Sequence, residues 1–100
     1  MNAPGVLFLS QERRVEVRIR NMGVLGALVA IADLEEPVFE GERAVLEHPR
    51  YESGLLTEEI IRSSGCVVRV ELDFEESGVE RQLAVYFDGG SPPEGYVPAA

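Results

Sequence analysis

The chain reads as an all-β domain in which five or six short antiparallel strands close into a small six-stranded barrel in preference to a sandwich. Two observations predict this. Apolar and polar residues alternate in several short runs, most clearly at Val15, Val17 and Ile19 and again from Cys66 to Phe74, which is the period of strands half-buried against a core. Clusters rich in glycine, proline and asparagine separate the runs, and closing the sheet hides edges that so few strands would otherwise leave open. One hundred residues, 45% of them hydrophobic, supply one modest core and leave no room for a second.

The elements follow in order. Residues 1–12 read as an N-terminal tail or a short first strand, with Val6 to Leu9 its apolar part. From Arg14 to Arg20 the apolar set faces one way and Arg14, Glu16, Arg18 and Arg20 the other. Asn21-Met22-Gly23 breaks the run with residues suited to a turn, and a second strand follows from about Gly26 to Ala32. Its antiparallel partner is the strand before it, because the link is short. Pro37 excludes the continuation of a central strand. The next strand is expected over Arg43–Glu47, closed by His48-Pro49. Leu55 to Ile61 is open to a short helical turn capped by Thr57 or to a strand with polar interruptions. Ser63-Ser64-Gly65 resets the chain before Cys66–Phe74, whose Val68, Val70, Leu72 and Phe74 form one row. Glu75 to Gly78 reads as a hairpin loop, and Val79 to Phe87 as the returning strand. The barrel is thus expected over residues 13–90, with 91–100 a flexible C-terminal tail.

Charge narrows the function classes. Eighteen acids against nine bases give a formal charge of −9, which opposes binding to a nucleic-acid polymer or an anionic bilayer. All nine bases are arginine, and Arg13, Arg14, Arg18 and Arg20 lie close together in sequence. Guanidinium groups suit bidentate contacts to phosphate or carboxylate; the same four also read as the solvated face of a strand. The apolar stretch Val6 to Leu9 is too short for a leader or a membrane helix, so the expectation is a cytoplasmic protein without membrane insertion. Cys66 is a lone thiol at the head of an apolar run, expected to be buried and inert.

Catalytic chemistry has little to work with. His48 is the single histidine and reads as a half-exposed turn residue; a metal site or a Cys-His pair needs more partners than the sequence offers. The acid pairs Glu35-Glu36, Glu58-Glu59 and Glu75-Glu76 fall in or beside expected loops. The expectation is a non-enzymatic binding protein with neither cofactor nor metal. Tyr51, Leu55, Leu56 and Tyr96 are the candidate partner-binding residues, because aromatic and large apolar groups outside a core mark contacts. A homodimer is compatible with all of this.

One stretch points further. Asn21-x-Gly23-x-x-Gly26 followed by Ala27-Leu28-Val29, then Phe39-Glu40-Gly41-Glu42 before Ala44-Val45-Leu46, then Val67-Val68-Arg69-Val70 with Leu83 to Asp88, resembles in order and spacing the PilZ domains of bacterial regulatory proteins. The resemblance covers roughly Arg13 to Asp88. It implies a six-stranded barrel and, for many members, binding of the second messenger cyclic di-GMP. In those terms Arg13, Arg14, Arg18, Arg20, Asn21, Gly23 and Gly26 are the candidate ligand-binding residues. The departures are specific. The family's Arg-x-x-x-Arg element lies well upstream of the Asn motif, whereas Arg14-x-x-x-Arg18 sits inside the strand and ends three positions before Asn21. Gly23 also stands where the family has serine, which removes a hydroxyl. The resemblance therefore implies a degenerate member: an adaptor in motility or surface-behaviour signalling that acts through a protein partner and binds cyclic di-GMP weakly or not at all. A genuine cyclic di-GMP receptor and an unrelated structural β domain are the alternatives.

Overall fold

A computed structural model describes residues 2–33, 35–52, 55–75 and 78–97, without the side chains of Tyr51, Leu56 and Glu75. Six strands account for the secondary structure: β1 (Ala3–Phe8), β2 (Arg14–Met22), β3 (Gly26–Ile31), β4 (Arg43–Glu52), β5 (Leu55–Glu75) and β6 (Gly78–Phe87). All neighbours are antiparallel, and the sheet closes on itself in the order β1-β2-β3-β6-β5-β4. There is no helix among the described residues, hence none long and apolar enough to cross a membrane.

The core is what the alternation prescribes. Val17 and Ile19 of β2, Ala27, Val29 and Ile31 of β3, Ala44 and Leu46 of β4, and Leu83 and Val85 of β6 point into the ring and are buried. Leu7 and Leu9 enter from the first segment, and Val38 enters from the loop after β3. β1 belongs to the ring, held by β2 along its length and by β4 through Val6, Leu7 and Phe8.

One open reading is decided and three expectations need correction. Leu55–Ile61 is strand, not a helical turn: it pairs with β4 from His48↔Ile61 to Glu52↔Leu55. Ser63-Ser64-Gly65 does not break the chain, because these residues keep their pairing to Leu46, Val45 and Ala44 while the strand passes from one neighbour to the other. His48-Pro49 does not close β4, which runs on to Glu52. Proline is accommodated there because β1 pairs with β4 only as far as Glu47, leaving an edge that needs no donor. The first hairpin turns two residues later than expected, since Asn21 and Met22 still pair with Leu28 and Ala27. The expected loop residues Ser53, Gly54, Glu76 and Ser77 lie outside the described residues.

Gly65 is where β5 changes neighbours. It pairs with Ala44 of β4 and with Phe87 of β6, and a Cβ there would stand 1.8 Å from the Tyr86 carbonyl oxygen. Only glycine lets three strand backbones approach so closely. Just beyond, a bulge between Val67 and Arg69 places Val67 in the core and Val70 against it, while Val68 is turned half out to solvent. The row read from the sequence is therefore correct from Val70 onward, with Val67 and not Val68 at its inner end.

These relations separate core from surface positions. Leu83→Ala should lower stability by about 2–5 kcal/mol, and Gly65→Ala should also destabilise because backbone, not a flexible side chain, stands in the way. Leu72→Ala, more than half exposed, should change stability by no more than about 0.5 kcal/mol. Chemical denaturation of the three variants measures this ordering.

Candidate functional site

The four arginines of the first cluster do not converge on one cradle. Arg13 lies just before β2, where its guanidinium donates to the backbone oxygens of Ser10 (3.0 Å) and Pro37 and forms ion pairs with Glu36 (3.2 Å) and Glu42. It binds the β3–β4 loop to the β1–β2 turn. Arg14 is exposed. Arg18 pairs with Glu80 at 2.8 Å and Arg20 with Asp73 at 3.6 Å. Along an extended strand these side chains are spread at about 3.3 Å per residue, so Arg13 and Asn21 stand on the order of 25 Å apart.

The Asn21 turn is itself well made. Gly23 donates to the Gly26 carbonyl at 2.9 Å, and Phe87 donates to the Leu25 carbonyl at 2.8 Å. Gly26 is a close approach of backbones, since a Cβ there would lie 2.3 Å from the Val85 carbonyl oxygen; Gly23 faces open space. Asn21 is exposed, and so are Val24 and Leu25 at the tip. Of the seven candidate ligand residues, the turn thus unites Asn21, Gly23 and Gly26, while the arginines are distributed down β2 and three of the four hold carboxylates.

His48 is not the half-exposed turn residue expected from its proline neighbour. It is a buried β4 residue, 7% exposed, stacked on Phe87 with ring centroids 6.1 Å apart. Its Nδ1 lies 2.9 Å from the Pro49 carbonyl oxygen and its Nε2 2.9 Å from Ser63 Oγ. A carbonyl only accepts, so Nδ1 is the donor to Pro49, and the serine hydroxyl, which can donate or accept, satisfies Nε2. Cys66 is partly exposed.

The candidate partner residues divide. Leu55 is 71% exposed; the side chains of Tyr51 and Leu56 lie outside those described. Tyr96 is engaged: its ring meets Phe8 edge-on at 5.2 Å, and its hydroxyl is buried. The segment that carries it is held down at its start by Arg43, which donates to Asp88 (2.5 and 3.0 Å) and to the Ser91 carbonyl (2.9 Å). Pro93 is buried farther along.

The exposed apolar residues that sequence reasoning missed lie elsewhere. β5 and β6 continue beyond the ring as a two-stranded ribbon, in which Leu72 faces Arg81 and Phe74 faces Val79. These positions extend the row of Val70 and Leu83, so they lie on the core-facing side of the ribbon. Yet Leu72 is 56% and Phe74 76% exposed, because the last β3–β6 pair is Ile31↔Arg81 and none of the described residues covers the row past it. The alternation was a usable signal, but it fixes the face and not where the core ends.

No protein-family model, curated protein or solved structure matches the chain.

The Arg43 clamp generates a pH prediction. Hydrogen bonds from the Arg43 guanidinium, then from the Gly90 backbone, hold the Asp88 carboxyl down at about 2 from an ordinary 3.8, and the same bond raises Arg43. The folded carboxyl has the depressed value, so its contribution is complete above the ordinary value and lost as pH falls through about 2. Carboxyl carbon shifts should titrate with that low midpoint, and Arg43→Ala should move it back toward the ordinary value.

Proposed function

We propose that the protein is a non-enzymatic, PilZ-like interaction module that acts by binding another protein, with little or no affinity for cyclic di-GMP. The observation that carries this reading is the state of the arginines. A dianionic dinucleotide needs several guanidinium groups free to close on its phosphates, and Arg13, Arg18 and Arg20 each hold a carboxylate of the same chain at separate places along β2. Releasing them would break the ties of the β3–β4 loop and of the ribbon.

Two further points support a binding protein over an enzyme. Both ring nitrogens of His48 are satisfied within the fold, and large apolar side chains stand exposed on the ribbon and at the β2–β3 tip. The six-stranded antiparallel ring is compatible with the PilZ resemblance, from which the assignment to bacterial motility or surface-behaviour signalling comes. A cytoplasmic location belongs to the same reading.

Calorimetric titration with cyclic di-GMP, followed in parallel by amide chemical shifts, should give no saturable signal up to high micromolar ligand. Saturable binding with shifts over Arg14–Gly26 would show instead that the β2 arginines exchange their carboxylates for phosphates and that the protein is a second-messenger receptor.

A further inference from the structure

The ribbon carries more than exposed apolar groups. Its outer face leans over the outside of β3: Glu80 reaches Arg18 and Asp73 reaches Arg20, both on β2, and the outward Ala30 between them is only 4% exposed. Leaning that way turns the opposite face, with Leu72 and Phe74, up to solvent.

The same strand has a free backbone edge. β4 pairs with β5 only as far as Arg43↔Cys66, and Gly41 and Glu42 add two bonds to Val67. From Arg69 to Glu75, β5 has β6 on one side and no backbone partner on the other among the described residues.

Charge indicates what belongs there. Segments 33–42 and 71–82 hold ten of the eighteen carboxylates and one arginine, Arg81. Arg13, Arg18, Arg20 and Arg69 reach in to pair with some of them. The region keeps a formal excess of five negative charges. Glu35 and Glu40 are exposed with no arginine partner among the described residues. An excess of this sign repels a second copy and a nucleic acid and attracts a basic segment.

We propose that the free edge of β5 from Arg69 to Glu75 receives an extended segment of a partner protein in which apolar and basic residues alternate. Added as a strand, such a segment makes main-chain hydrogen bonds to the edge and sends alternate side chains to opposite faces. Its apolar residues cover Leu72 and Phe74; its arginines or lysines meet the row of Glu71 and Asp73. The pattern is specific, because a segment shifted by one residue would set charge on Phe74 and apolar groups on the acids. This site rests on reading the protein as an interaction module and names the surface that reading needs.

The test uses the full chain, isotope-labelled, and a capped synthetic peptide alternating arginine with valine and phenylalanine, long enough to span the edge. Saturable shifts centred on Arg69–Glu75 are expected, weakening as salt is added. A peptide of the same composition with its arginines grouped at one end should bind much more weakly. Phe74→Asp should reduce affinity about tenfold or more with the melting temperature kept, since that ring is largely exposed, and Leu72→Asp provides a second variant. Absence of shifts on β5, indifference to alternation, or unchanged binding by both variants overturns the site. A dimer of the free protein that Phe74→Asp dissolves overturns it in favour of a second copy. None of these outcomes touches the broader reading, which only saturable cyclic di-GMP binding in the separate titration removes.

Discussion

The ring closes because β5 serves two neighbours in succession. Its first half pairs with β4 and its second half with β6, and only around Gly65 and Cys66 is it flanked on both sides. A side chain at Gly65 would enter the Tyr86 carbonyl; without that close passage β4 and β6 could not both bond to the same short stretch. Everything else is arranged around this exchange. The unshared halves of β5 become ribbons running past opposite ends of the ring, one with β4 and one with β6. The buried residues lie between them, where every strand has two neighbours.

That geometry also sets the work of the charged groups. A ribbon that runs past the core gains little from burial, and its position must come from contacts at its base and along the face that leans on β3. Arg18 and Arg20 reach from β2 to Glu80 and Asp73, and Arg81 donates to the backbone of Asp33 and Glu36 across the mouth of the ring. Arg13 does the same for the loop before β4. Single surface pairs contribute little, but these act on few degrees of freedom: they orient elements that already exist. Arginine suits this use because one planar group can satisfy a carboxylate and a backbone carbonyl together.

Much of the fold was legible in the residues, for identifiable reasons. The alternation at Val15, Val17 and Ile19 set the inward face of β2, and Leu83 and Val85 set that of β6, because a strand buried on one side must repeat every two residues. What was not legible depends on neighbours distant in the chain. Serine and glycine at positions 63–65 signal a break locally, yet Gly65 is the joint on which β5 continues. Leu55–Ile61 carries no clear period, and its strand state is imposed by β4. The exposure of Phe74 could not be read, since it follows from where β3 stops. The arginine cluster showed guanidinium groups suited to anions; that the anions are the chain's own carboxylates is a fact of packing.

The same reasoning connects the acidic composition to the exposed apolar row. A free strand edge beside uncovered leucine and phenylalanine invites pairing between copies, and proteins commonly prevent it with charge along the edge. Here Glu71 and Asp73 line the opposite face of the ribbon, and the β3–β4 loop with its exposed carboxylates is tied to the base of the ribbon through Arg81. Two such edges would bring like charges together, so the arrangement that discourages self-association is also one that selects a partner of opposite sign. Negative charge and apolar surface, which separately are unremarkable on a small β domain, become discriminating when the pleat places them on opposite faces of one open strand.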